Sequence, residues 1–211
     1  MGGISCLDSQ EAMLRKVLKE SSQVKFRISR ADCHYLPEGS KLDTFSLMSV
    51  QKSLVCSTGI LVIDEQINPD LFQNKKLQFE ASVVYFPMAL MNAMLSRLEG
   101  STKGVPYEPG KLEVTGGHQQ ITNARLEAMA DKSTLVVCGI LDIDPQVPVE
   151  SLIAKIGVVD NYGKIVATRD AASILQAKLR QNEGAITPHS EEDEDEDATG
   201  YDHVIEIRGL A

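Results

Sequence analysis

Two aspartates end matching stretches of this sequence. Gly59-Ile-Leu-Val-Ile-Asp64-Glu-Gln66-Ile and Gly139-Ile-Leu-Asp-Ile-Asp144-Pro-Gln146-Val agree at six of nine positions. Two carboxylates brought together can share one proton, as in an aspartic dyad, but that chemistry wants small hydrogen-bonding neighbours. Here the following residues are Glu65-Gln66 and Pro145-Gln146. An aspartate that ends a strand before a turn more simply accepts backbone N–H bonds. Asp64 and Asp144 are therefore expected to be structural turn residues, and no residue is assigned a catalytic role.

The remaining reactive side chains are scattered. His34, His118, His189 and His203 lie far apart, and no HExxH, GxSxG, P-loop or GxGxxG accompanies them. Cys6, Cys33, Cys56 and Cys138 form no CxxC and have no histidine at zinc-ligand spacing, so neither a metal site nor a cofactor is expected. Cys56 and Cys138 sit within apolar runs, which reads as buried thiols in a reducing, cytoplasmic compartment. Gly2 resembles an N-myristoylation acceptor, but position 6 holds cysteine where that motif wants serine or threonine.

Charge is unevenly placed along the 211 residues. Glu191 to Asp197 form one unbroken run of seven acids, whereas residues 1–190 carry a net charge of only −1 against −9 for the whole chain. Arg15, Lys16, Lys19, Lys25, Arg27 and Arg30 oppose only Glu20, a local charge of +5. These six residues are the expected anion-binding surface, suited to nucleic acid or an anionic membrane. The acidic tail is expected to solubilise or to regulate. With 43 % hydrophobic and 24 % charged residues, the body can form an ordinary core, and no apolar run nears the roughly 20 residues of a membrane-spanning helix.

The elements that must position these residues show an internal duplication. Upstream of the matched aspartates, Lys52-Ser-Leu-Val-Cys56 parallels Lys132-Ser-Thr-Leu-Val-Val-Cys138, and Tyr35 to Asp43 parallels Tyr107 to Glu113. Apolar helical stretches at 12–18, 92–98 and 172–179 bracket the two units. Strands are expected near 24–29, 45–50, 53–64, 76–86, 111–115, 120–126, 133–143 and 163–168, and a helix at 169–182. Asn161-Tyr-Gly163 suits a hairpin between 153–159 and 164–168. The expected fold is α+β: a first unit over 1–102, a duplicated second unit over 103–184, and an acidic linker over 185–211. The linker ends in His203-Val-Ile-Glu-Ile-Arg208, a strand-like peptide suited to a sheet edge.

One stretch resembles a known family. Gly59-Ile-Leu-Val-Ile-Asp64, then Lys75-Lys-Leu-Gln-Phe79-Glu-Ala-Ser-Val-Val-Tyr85-Phe-Pro, is similar to the strand–aspartate–strand–helix pattern of the 30K superfamily of plant-virus movement proteins. That resemblance covers about 40 residues and implies nucleic-acid binding and cell-to-cell transport, with Asp64 as the matching acidic position. The residues themselves point to a non-enzymatic binding or assembly protein. A protein partner or self-association is expected, since related units with edge strands favour oligomers.

Overall fold

The computed structural model describes Ile4–Leu7 and Phe26–Ser29 as strands, and residues 32–189 in full. It is a mixed α/β chain in which every strand pairing among the described residues is parallel. Parallel neighbours need a long return path. Here the path is a coil: strand, corner, second strand, then a short helix that leads into the next coil.

After the pair β1 (Ile4–Leu7) and β2 (Phe26–Ser29), two such solenoids follow. The first has β3 (Cys33–Tyr35), β5 (Leu54–Cys56) and β7 (Gln78–Glu80) in one sheet. Its second sheet holds β4 (Ser40–Leu42), β6 (Ile60–Ile63), β8 (Val83–Pro87) and β9 (Lys103–Tyr107). Helices α1 (Thr44–Ser49), α2 (Pro69–Lys75) and α3 (Met91–Leu95) close its coils, with a 3-10 turn at Met88–Leu90 before α3. The second solenoid has β10 (Leu112–Thr115), β12 (Ser133–Val137), β14 (Ile156–Asn161) and β16 (Leu179–Asn182) in one sheet. Its other sheet holds β11 (His118–Ile121), β13 (Ile140–Ile143), β15 (Lys164–Ala167) and β17 (Ala185–Pro188). Helices α4 (Asn123–Ala128), α5 (Val149–Lys155) and α6 (Arg169–Ala177) fill its third side.

Several sequence expectations need correction. The hairpin at Asn161-Tyr-Gly163 is a coil corner, because β14 pairs with β12 and β16 while β15 pairs with β13 and β17. The runs 53–64 and 133–143 each bend at such a corner into two strands of different sheets. Residues 44–49 are helix rather than strand, since Asp43 Oδ1 accepts the Ser46 N–H at 2.7 Å as an N-cap. The helix expected over 169–182 stops at Ala177 and β16 follows. Strand β17 continues the sheet four residues past the linker boundary set at 184.

The corners of the second solenoid explain its glycines. A Cβ on Gly139, Gly163 or Gly184 would collide with the carbonyl oxygen of Gly117, Gly139 or Gly163 in the preceding coil. Only glycine lets successive backbones stack this closely.

Each solenoid has its own apolar interior. Leu47, Phe72, Phe79, Phe86 and Met94 fill the first, and Leu126, Leu135, Leu152, Ile165 and Leu175 the second. A third cluster joins them, because β6 and β8 are buried on both faces. Leu61, Ile63, Val84 and Phe86 point into the first interior, whereas Ile60, Val62, Val83 and Tyr85 meet Val136 and its neighbours from the second solenoid. This double burial is why 83–87 reads as a continuous apolar run rather than an alternating one.

At four of the six described helices a cation from the following coil bonds the helix-end carbonyls. Lys75 Nζ donates to Met48 O at 2.9 Å and Val50 O at 2.6 Å, at the end of α1. Arg97 donates to Phe72 O at 2.8 Å and Gln73 O at 3.1 Å in the last turn of α2, with its guanidinium 4.7 Å from the Phe72 ring centre. Lys155 Nζ reaches Glu127 O at 3.2 Å and Met129 O at 3.0 Å at the end of α4. Lys178 Nζ reaches Ile153 O at 2.8 Å, and also Ile156 O, at the end of α5. Carbonyls at a helix C-terminus lack intrahelical donors and carry partial negative charge, so a cation there satisfies both needs.

Cys33 and Cys56 form a disulfide across β3 and β5, with Cα atoms 6.1 Å apart. The reading of Cys56 as a free thiol is corrected. Cys138 is a free thiol. No described helix is long and apolar enough to cross a membrane.

Candidate binding cleft

A cleft of about 470 Å³ lies between residues of the two solenoids. Gly39 and Lys41 beside β6 form one wall, and Leu112, Val114 and Gly116 along β10 form the other. Val62, Tyr107, Leu112 and Val114 supply apolar lining; Lys41, Glu65, Glu113 and Gln119 supply polar groups. An apolar recess with a few converging polar groups is the usual form of a binding site, and junctions between units are a usual place for one.

The walls are held by specific bonds. Tyr107 lines the recess and donates its O–H to Ile63 O at 2.6 Å, which commits its polar end. Burial, together with the nearby Asp64 and Glu65, pushes the Tyr107 phenol well above its ordinary pKa. Glu65 Oε2 accepts the Gly110 N–H at 2.5 Å and ties the connection between the solenoids to the β6 end. Glu113 is paired with Arg125 at 2.5 Å, and Arg125 also donates to Gln119 Oε1 at 2.9 Å and Gln120 O at 3.2 Å.

Asp64 and Asp144 occupy equivalent turns after β6 and β13. Asp64 Oδ1 accepts the Gln66 N–H at 2.7 Å, and Asp144 Oδ1 accepts the Gln146 N–H at 2.8 Å. In each turn the aspartate carbonyl also receives the N–H three residues on, from Ile67 at 3.2 Å and Val147 at 2.9 Å. Asp64 Oδ2 further holds Lys41 at 2.7 Å on the cleft wall. The two carboxylates belong to different solenoids and each is engaged in its own turn.

The basic residues expected to bind anions fall elsewhere. Arg15, Lys16, Lys19, Lys25 and Arg30 lie outside the described residues, and Arg27 is placed only as a backbone position of β2 opposite Ser5. The acidic run and His203–Arg208 also lie outside them. His189 Nε2 contacts Ile143 O at 3.0 Å and stands 3.5 Å from Asp142, while His118 is exposed at the start of β11. Among the described residues no cluster of histidine, cysteine and acidic side chains is arranged to hold a metal ion.

Sequence reasoning missed the cleft, which needs the two solenoids side by side. Comparison with protein-family models, with curated proteins and with solved structures finds no match.

Proposed function

We propose that this chain is a non-enzymatic binding protein whose partner, a protein segment, seats in the cleft between the solenoids. The observation that carries this reading is the cleft itself, a recess of about 470 Å³ in which Lys41, Glu65, Glu113 and Gln119 surround the apolar side chains of Val62, Tyr107, Leu112 and Val114. Bonds to Asp64, Gly110 and Arg125 hold those four polar groups in place around the apolar lining. In the same proposal Arg15, Lys16, Lys19, Lys25, Arg27 and Arg30 form a separate anion-binding surface, and the two solenoids descend from a tandem duplication.

Three full-length forms test it: the native chain, Val114→Lys, which places a charge on the cleft wall, and a chain with the six basic residues changed to Gln. Each is immobilised, and the retained molecules are identified and quantified. A protein retained by the native and Gln chains but lost by Val114→Lys is the expected result. Equal retention by all three forms would remove the cleft from the reading.

A further inference from the structure

The six described helices share one plan, counted from the N-cap. The fourth residue after the cap is buried in every one: Leu47, Phe72 and Met94 in the first solenoid, Leu126, Leu152 and Ala172 in the second. The second and fifth residues after the cap are exposed in every one. A solvated helix face should be polar there. In α4, α5 and α6 it mostly is, with Glu127, Glu150, Asp170 and Ser173 at those positions. In the first solenoid the same positions hold Phe45, Met48 and Leu95, exposed to 81 %, 61 % and 67 %, the three most exposed large apolar side chains among the described residues. Lys75 of α2 bonds the Met48 carbonyl, and Arg97 beyond α3 bonds the Gln73 carbonyl. Helices α1, α2 and α3 therefore lie side by side, with Met48, Gln73 and Leu95 in one row. Single exposed apolar residues are ordinary, but three on adjoining helices mark an interaction surface.

Charge is ordered along the same face. Exposed Asp43 caps the N-terminal end of α1, and exposed Asp70 sits in the first turn of α2. Exposed Lys52 follows α1, and exposed Lys76 is the C-cap of α2. The face thus runs from acid through apolar side chains to base. A uniformly anionic partner, such as a membrane surface or a nucleic acid, would meet the acids as well as the bases. A second copy given a half-turn about an axis through the middle of the face meets it with base against acid and apolar against apolar. That is the self-complementary pattern of a two-fold interface, and it sets the helix dipoles of the two copies antiparallel.

We propose that two copies of this chain associate through the faces of α1, α2 and α3. Phe45, Met48 and Leu95 pack across the two-fold axis, and Asp70 of each copy faces Lys76 of the other. None of the residues lining the cleft belongs to these helices, so each copy keeps its own cleft.

Sedimentation equilibrium of the full-length chain from about 1 to about 200 μM tests this. The native chain should fit a monomer–dimer equilibrium. Phe45→Ser with Leu95→Ser should raise the dimer dissociation constant at least about tenfold, as loss of central apolar anchors does. Asp70→Lys alone and Lys76→Asp alone should each raise it at least about tenfold, because each sets like charges opposite one another. An equimolar mixture of those two charge variants should dimerise as the native chain does, since every facing pair is again of opposite sign. A variant that merely misfolds would not be restored by mixing. A native chain that stays monomeric over this range overturns the proposal, whether a different protein or a terminal segment of this chain then covers the face. A dimer that the apolar variant or either charge variant leaves intact, or that mixing does not restore, overturns it as well.

Discussion

Tyr85 and Asp160, 75 residues apart in sequence, meet where the two solenoids press together: the Tyr85 O–H donates to Asp160 Oδ2 at 2.6 Å. Both residues are buried. Arg180 binds the same carboxylate through Nε at 3.0 Å and through Nη2, and the Tyr162 hydroxyl lies 3.2 Å from that of Tyr85. Burial first, and then the Asp160 hydrogen bond, raises the Tyr85 phenol far above its ordinary pKa, so it remains a donor. The hydrogen bond to Asp160 likewise raises the Arg180 guanidinium. A buried carboxylate is costly alone, but here each oxygen has a donor.

Removing the carboxylate should therefore hurt more than removing either neighbour. Asp160→Ala strands the buried Tyr85 hydroxyl, and the expected loss is on the order of 3 kcal/mol. Tyr85→Phe keeps the ring and loses one hydrogen bond to a charged group, roughly 1–2 kcal/mol. In the double variant the two losses should fall short of their sum by more than about 0.5 kcal/mol, since the residues are in contact. Urea melts of the three variants measure this, and additive losses would mean that the bond contributes nothing at the junction.

The cation caps give a second prediction. Lys75→Met and Lys155→Met keep the aliphatic stem but leave helix-end carbonyls without a donor. Each should cost about 1–2 kcal/mol, as lost charge-assisted hydrogen bonds do. Because α1 and α4 belong to different solenoids, the double variant should lose the sum to within about 0.5 kcal/mol. Thermal melts that leave either single variant at the native midpoint would show that those carbonyls are satisfied by water.

Local signals in the sequence were readable where one residue decides the backbone. Asp64 and Asp144 before their turns are of this kind, whereas Asn161-Tyr-Gly163 signals a change of direction without telling a hairpin from a coil corner. What periodicity did not convey is which strands pair. A run such as Leu54 to Ile63 is apolar throughout whether it forms one long strand or two short ones around a corner, because both halves are buried. Residues 44–50 are equally ambiguous: Phe45, Leu47 and Val50 suit alternation in part. Yet Leu47 and Val50 are buried three apart while Phe45 is exposed, which is the spacing of a helix. The glycine column and the helix-capping cations recur at coil spacing in the sequence. They gain meaning only when strands 20 to 24 residues apart are stacked. The cleft depends on the junction between solenoids and has no local signature at all.

The matched aspartates should have similar but unequal roles. Each Oδ1 receives one backbone N–H, so Asp64→Ala and Asp144→Ala, which remove that acceptor, should each cost about 1 kcal/mol. Asp64 is the more buried and also holds Lys41, so its substitution should cost more, by a few tenths of a kcal/mol for a partly exposed ion pair. The double variant should be additive, because the turns share no partner. Strong non-additivity in urea melts at neutral pH would instead indicate two carboxylates in contact, and would reopen proton-sharing chemistry.

Alkaline pH should weaken the fold through acids that the native state keeps protonated. Burial, with Glu38 nearby, pushes the Cys138 thiol up to about 11, and burial raises the phenols of Tyr107 and Tyr85 as well. Between the ordinary thiol value near 9 and the native value near 11, the unfolded chain has released the Cys138 proton and the folded chain has not. The native state then binds more protons, so stability falls as pH rises. It is complete below about pH 9 and declines through pH 11, and the tyrosines add to the loss above about pH 10. For Cys138, which is only half-buried, the decline should amount to roughly 1–2 kcal/mol after solvent screening is allowed for. Urea melts from pH 7.5 to 11 on the native chain and Cys138→Ala measure it. The variant should lose less stability between pH 9 and 11 by that amount, and the native thiol should react slowly with iodoacetamide at pH 8. Parallel pH profiles for the two forms would assign the alkaline loss to the tyrosines alone.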